Sequence, residues 1–366
     1  MTYSWRQTFI PPSGGSINRR RSYWMWSNQK IRYSWAEERK TRNWTTISQD
    51  LNKTMNGTQP SSCYWNPTAE KMGLTFAYCL IVLVSLAGNT IIGIIVYKTK
   101  TMRKPINFLI VNMAMSDLVI PIFLIPWNIQ LLYINSWLIG GLLGQALCKL
   151  VNFLPDVSTA VSIQSLVLIA VDRFGAVVFP LRSPLISSKL CPVFILTTWI
   201  VAIAVHTPFL VAVKVVEYPG GLLCNLRWKE VFGEFSSFEH YAMPILMIFY
   251  FIPLVLIALL YAIIYIKLKS QKIPGEQSAN AGQQRQRRER NVLKMAIAIV
   301  VGFAVCWLPY SIGGFLFFFA SDLWSCGFQY FNFFAFFMVR INCAMNPCIC
   351  FIFSRNYRLG LKTLFR

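Results

Sequence analysis

Seven stretches of this chain are long and apolar enough to cross about 30 Å of hydrocarbon as helices, and no other feature limits the possible folds so tightly. They lie near residues 73–97, 106–133, 147–171, 191–213, 243–266, 294–319 and 328–353. The expected fold is an all-α membrane protein, a bundle of seven transmembrane helices spanning 73–353. Composition agrees, because 55% of residues are hydrophobic and 13% charged, against about 25% charged in soluble domains. The net charge of +21 raises nucleic acid as a partner. Yet the basic residues sit in short links between apolar runs, as the positive-inside rule places them, so membrane lipid is the expected partner and nucleic acid is not.

The distribution of charge predicts the orientation. Lys98, Lys100, Arg103 and Lys104 follow the first span, and Arg182 and Lys189 follow the third. Lys267, Lys269, Lys272, Arg285, Arg287, Arg288 and Arg290 fill the link after the fifth, and Arg355, Arg358, Lys362 and Arg366 end the chain. The alternate loops carry Glu217, Glu230, Glu234, Glu239 and Asp322 against Lys214, Arg227 and Lys229. The basic set is expected in the cytoplasm and the N-terminus outside, in a multi-pass plasma-membrane protein. Pro274-Gly275 and the polar run around it make 271–286 read as a mobile linker. Phe353, Tyr357, Leu361 and Phe365 recur every fourth residue, so 354–366 is expected to lie as a short amphipathic helix on the inner membrane surface.

Residues 1–72 read as an extracellular tail. They lack the apolar core of a signal peptide, and Arg19-Arg20-Arg21 is unusual for a translocated segment. Sequons at Asn43, Asn52 and Asn56 fit an extracellular site of glycosylation. Translation is expected to begin at Met55, leaving 1–54 as an upstream region.

The residues give catalysis no foothold. There is no metal-spaced cysteine pair, His206 and His240 form no ligand pair, and no phosphate loop, nucleophile elbow or dinucleotide fingerprint occurs. The chain is therefore expected to be no enzyme.

Each span instead carries a signature. Gly88-Asn89 lies in the first, and Asn112-Met113-Ala114-Met115-Ser116-Asp117-Leu118 in the second. Trp137-Leu138-Ile139-Gly140 follows, then Cys148 at the start and Asp172-Arg173-Phe174 at the end of the third. Phe179-Pro180-Leu181, Trp199, Pro253, Tyr261, Cys306-Trp307-Leu308-Pro309, Asn342 and Asn346-Pro347 complete the order. From about Lys71 to Arg366 the chain resembles the rhodopsin-like G-protein-coupled receptors.

That resemblance implies roles for single residues. Asp117 is a carboxylate in mid-membrane, costing about 2.5–3.5 kcal/mol on insertion scales. Neighbouring amides could satisfy it and simply hold helices together. The resemblance implies an allosteric sodium ion bound by Asp117 and Ser162 with Asn342 and Asn346, and no other cofactor. Arg173 would be either a positive-inside anchor or, as the resemblance implies, a latch paired with Asp172 and with Glu289 at the base of span six. Release of the latch would let that helix swing outward and admit a heterotrimeric G protein, with Pro180, Leu181, Tyr261 and Pro347 in the coupling machinery. Trp307 would be the pocket floor, moving with Phe303 beside Tyr310. Cys148 would pair with Cys224. Apart from the resemblance, Cys63 and Cys326 both fall on the outer side, so a second bridge between them is expected, with a free tail thiol at Cys63 as the alternative. Phe174 and Cys350 stand where the family has tyrosines. In the family the second of these moves inward on activation and reaches, through water, the span-five tyrosine, here Tyr261.

The ligand is constrained by two departures. Opsins bind retinal through a lysine seven residues before the span-seven proline. Arg340 occupies that position, and a guanidinium stays protonated and forms no Schiff base. Amine receptors place an aspartate where this chain has Pro155, with Asp156 one residue later and turned by about 100°. The span-six run Val305 to Tyr310 and the long loop from Lys214 to His240 resemble peptide receptors, so an extracellular neuropeptide is the expected ligand. An amine or lipid receptor of the same fold, or a non-signalling relative, is the alternative. An arginine inside a span needs a partner, and Asp156 is the expected one, with Asp117 or an acidic ligand group as rivals.

Overall fold

Proline marks where several helices begin, because an N–H missing from the first turn would have had no intrahelical acceptor anyway. The computed structural model describes residues 67–134, 136–180, 185–218, 221–233, 236–270, 279–319 and 326–364. Helix α1 (Pro67–Lys98) starts on a proline, and α2 (Pro105–Tyr133) does the same. Next come α3 (Gly141–Val178), α4 (Cys191–Ala212) and a hairpin of β1 (Val213–Tyr218) with β2 (Gly221–Leu226). Helix α5 joins Phe238–Leu246, a π-helical turn Met247–Phe251 and Ile252–Ser270. Helices α6 (Ala279–Phe319), α7 (Cys326–Phe353) and the short α8 (Arg355–Leu364) follow. Among the described residues, seven helices are long and apolar enough to cross a membrane. Each overlaps one of the expected spans.

Three expectations change. The linker expected at 271–286 is shorter, because α6 already begins at Ala279; alanine, glutamine and arginine are good helix formers and carry the helix beyond the apolar span. The expected tail of 1–72 gives way to α1 at Pro67, and its sequons and Cys63 lie outside the described residues. The expected long loop after span four contains the antiparallel hairpin, with Val215 opposite Cys224.

Buried polar groups tie the helices together at defined points. Pro347 has no N–H for the carbonyl of Cys343 one turn earlier. That carbonyl instead accepts from Asn89 Nδ2 at 2.9 Å and Ser85 Oγ at 3.1 Å. The proline break in α7 is thus repaired by α1, and an unpaired buried carbonyl is avoided. Asn112 of α2 reaches α3 through Ser165 Oγ at 2.9 Å and accepts from Trp199 Nε1 of α4 at 2.9 Å.

The contact of α1 with α7 also depends on Gly88. A Cβ there would fall 2.6 Å from Pro347 Cβ, closer than real carbon contacts allow. Gly88→Ala is therefore expected to cost about 1–3 kcal/mol through overpacking. Thermal unfolding of the purified protein in nanodiscs checks this, and an unchanged midpoint would show that the two helices separate cheaply.

Helix α8 turns its apolar stripe onto the bundle. Tyr357 is buried and donates to Asn107 Oδ1 at 3.4 Å, while Arg358 Nη1 donates to the Phe351 carbonyl at 3.2 Å. Burial holds the Tyr357 phenol well above its ordinary pKa, so it remains a donor. Leu361 packs on the same core, Phe353 stays largely exposed, and Phe365 lies outside the described residues.

Candidate functional site

The site is built along the bundle axis, from the hairpin end to the end that carries α8. At the hairpin end Cys148 of α3 is bonded to Cys224 of β2, with Cα atoms 5.6 Å apart. Other contacts hold the same hairpin. Gln145 of α3 clamps β1 from both sides, donating to the Val213 carbonyl at 3.0 Å and accepting from Val215 N–H at 2.9 Å. Trp137 N–H donates to the Leu222 carbonyl at 2.7 Å. Asn152, one turn below Cys148, donates to its carbonyl at 2.7 Å. Cys63 and the side chain of Cys326, the expected second bridge, lie outside the described residues.

Below the hairpin, Arg340 of α7 is buried, with 4% of its surface exposed. Its Nη1 donates to the Phe336 carbonyl at 2.7 Å and its Nη2 to Asn128 Oδ1 at 3.3 Å. The guanidinium also lies 5.0 Å from the centre of the Phe336 ring. This corrects the expected Arg340–Asp156 pair, because the side chain turns toward α2. Asp156 of α3 is buried too, and lines a small cavity with His206, Tyr241 and Tyr250.

An aromatic relay occupies the next level. Phe336 meets Tyr310 at 5.2 Å between ring centres, and Tyr310 meets Trp307 edge-on at 5.7 Å. Trp307 stacks on Phe303 with an interplanar angle of 15° and touches Tyr250 at 5.5 Å. These rings belong to α5, α6 and α7, so a displacement at Tyr310 or Phe336 is felt at Phe303, deep in the core.

Mid-bundle, Asp117 accepts from Asn346 Nδ2 at 2.7 Å and from Ser162 Oγ at 3.3 Å. Ser162 also meets Ser116 Oγ at 2.9 Å. Asn342 stands one turn before Asn346, and its buried Oδ1 has no partner among the described residues. A carboxylate, a hydroxyl and an unpartnered amide oxygen are hard donors that suit a small alkali cation. Asn346 donates an N–H to Asp117 and so orients that carboxylate, which leaves its own amide oxygen for other contacts.

At the end bearing α8, Arg173 donates through Nε to Asp172 Oδ2 at 3.1 Å, with a second contact through Nη2. Tyr261 of α5 lies close to this pair, and its buried hydroxyl has no partner among the described residues. Pro180 is exposed just beyond α3. Leu181 and the Glu289 side chain lie outside the described residues, so the structure describes one half of the expected latch.

Asn128 and Gln145 were absent from the residues singled out in the sequence. A polar side chain inside an apolar span was the available signal for Asn128. Gln145 offered none, because its role depends on a hairpin that was itself not foreseen.

The 38 residues of α3 join the tethered hairpin to the Asp172–Arg173 pair without interruption, one helix touching both ends of the bundle. That layout defines a seven-transmembrane receptor. The chain belongs to the rhodopsin family of these receptors, and residues 88–349 match the family model described as "7 transmembrane receptor (rhodopsin family)". It is 30% identical to the substance-K receptor of Homo sapiens over 79% of this chain and 72% of that protein. It is 31% identical to the neuromedin-K receptor of Rattus norvegicus over 80% of this chain and 63% of that one. The QRFP-like peptide receptor of Branchiostoma floridae is 34% identical over 67% of this chain and 64% of its own length.

Proposed function

We propose that this receptor binds an extracellular neuropeptide at its hairpin end and activates a heterotrimeric G protein at the other, without catalysing a reaction. The N-terminus lies outside the plasma membrane and α8 lies on the cytoplasmic surface, as the basic links on that side favour. The observation that carries the reading is the aromatic relay from Phe336 to Phe303, which joins half-buried rings on the hairpin side of Arg340 to the core of the bundle. A peptide seated against Tyr310 and Phe336 biases the Trp307–Phe303 stack, and any preference for one stack position shifts the population of the whole bundle. Similarity to receptors for substance K and neuromedin K and to a QRFP-like peptide receptor supports a peptide over an amine or a lipid.

The test is nucleotide exchange on purified G proteins by the full chain in nanodiscs, with neuropeptide, amine and lipid libraries as agonists. A neuropeptide hit that fails on Trp307→Ala is the expected result. Activation by amines or lipids alone would overturn the peptide class, and no exchange with any G protein would overturn the coupling.

Sodium bound by Asp117, Ser162 and Asn342 would hold α2, α3 and α7 in the resting arrangement. Raising sodium is then expected to weaken agonist binding several-fold in the wild type and not in Asp117→Asn, whose amide keeps the shape and removes the charge. Radioligand competition in sodium against N-methylglucamine checks this, and equal curves for the wild type would remove the ion from the account.

A further inference from the structure

Arg340 is a buried cation whose hydrogen bonds, among the described residues, go to two neutral oxygens, the Phe336 carbonyl and Asn128 Oδ1. Among the described residues its buried Nε–H has no acceptor, nor has the Nδ2 of Asn128, the side chain it touches. Two adjacent side chains on α2 and α7 therefore present unused donors and, among the described residues, a positive charge with no salt-bridge partner. A buried charge left in that state is costly, and such residues in membranes face functional sites. Tyr310 lies close to the guanidinium, and Phe336 stacks against it from one turn nearer the hairpin end. The need is therefore for one negative charge, two acceptor oxygens and an apolar or aromatic body.

We propose that Arg340 and Asn128 anchor a carboxylate of the agonist, one oxygen accepting from Arg340 Nε and the other from Asn128 Nδ2. The inference rests on the receptor reading above and names the chemistry of the group that reaches deepest. With Nη1 and Nη2 fixed on the Phe336 carbonyl and Asn128, the planar guanidinium holds its charge and its Nε–H in one direction, which a lysine at the same place would not reproduce. A neutral carbonyl would fill an acceptor position and leave the charge unanswered. The carboxylate belongs either to a peptide C-terminus or to an acidic side chain.

Thermal unfolding of the full chain in nanodiscs is measured with three probes: N-acetylphenylalanine, N-acetylaspartate α-amide and N-acetylphenylalaninamide. Saturable stabilisation by the first identifies a chain-terminal carboxylate, and by the second a side-chain one. The uncharged third probe is expected to bind at least tenfold more weakly. Arg340→Gln is expected to abolish the effect, and Asn128→Leu, which keeps the cation, to weaken it about tenfold. The second variant serves where the first fails to fold. Equal stabilisation by the uncharged probe, no stabilisation by either acid, or full replacement of the acids by chloride would each overturn the proposal. Nucleotide exchange on a G protein is measured separately on the wild type. Carboxylate binding without exchange would overturn the receptor reading and leave this site standing, and exchange without carboxylate binding would do the reverse.

Discussion

Cys148→Ser and Cys224→Ser are each expected to remove most of the receptor from the cell surface, and to the same degree. The two residues close a segment with a sequence separation of 76. For a free chain the loss of that closure is worth about 4–5 kcal/mol. Here α4 lies inside the segment, and its insertion already keeps the ends from wandering, so the effect falls toward about 2 kcal/mol. The hairpin also keeps Gln145, Trp137 and the Arg227 N–H bond to the Ala212 carbonyl at 2.7 Å. These contacts moderate the loss without replacing the bridge, because they reach the middle of β2 only through its pairing with β1, whereas the bridge bonds Cys224 to α3 covalently. Surface biotinylation with thermal unfolding of the delivered fraction makes the measurement. The double variant is expected to match either single one, since all three remove one constraint. Unequal single variants would mean that one cysteine does something beyond pairing.

Apolar length made the bundle legible, and order of signature made its ends legible. Asp117, Trp307 and Arg173 each stood in a motif whose position along a helix determines its level in the membrane. The pair Cys148–Cys224 came from the resemblance and is present. What periodicity hid were features made by two elements at once. The repair of Pro347 by Asn89 and Ser85 requires knowing which face of α1 meets α7. Charge and depth in the membrane point Arg340 to Asp156, yet the rotation of α7 brings it to Asn128 of α2. The hairpin between α4 and α5 was missed for a different reason. Val213 to Tyr218 alternates only loosely, and its pairing is completed by Gln145 and Trp137 from elsewhere in the chain.

The coupling end carries the other large effect. Cys350→Tyr is expected to raise signalling, in agonist-free and maximal response alike. Cys350 is fully buried in the core that also contains Tyr261, Ile349 and Tyr357. The Tyr261 hydroxyl is buried beside the Asp172–Arg173 pair and lacks a partner among the described residues. A thiol is too short and too weak a donor to supply one. A tyrosine at 350 that swings inward on activation would reach toward Tyr261 directly or through a water. A net hydrogen bond made only in the active arrangement is worth about 1 kcal/mol, which shifts the resting-to-active ratio about fivefold. The larger ring also crowds a site sized for cysteine, and overpacking costs about 1–3 kcal/mol in the resting arrangement. Both effects push the same way, so Cys350→Phe is needed to separate them. The phenylalanine variant carries the crowding without the hydroxyl and is expected to raise basal exchange less. Tyr261→Phe in the tyrosine background is expected to bring the response down to the phenylalanine level. Nucleotide exchange at matched receptor number reads all three. Identical responses from Cys350→Tyr and Cys350→Phe would assign the gain to crowding alone and leave the Tyr261 hydroxyl to some other contact in the active state.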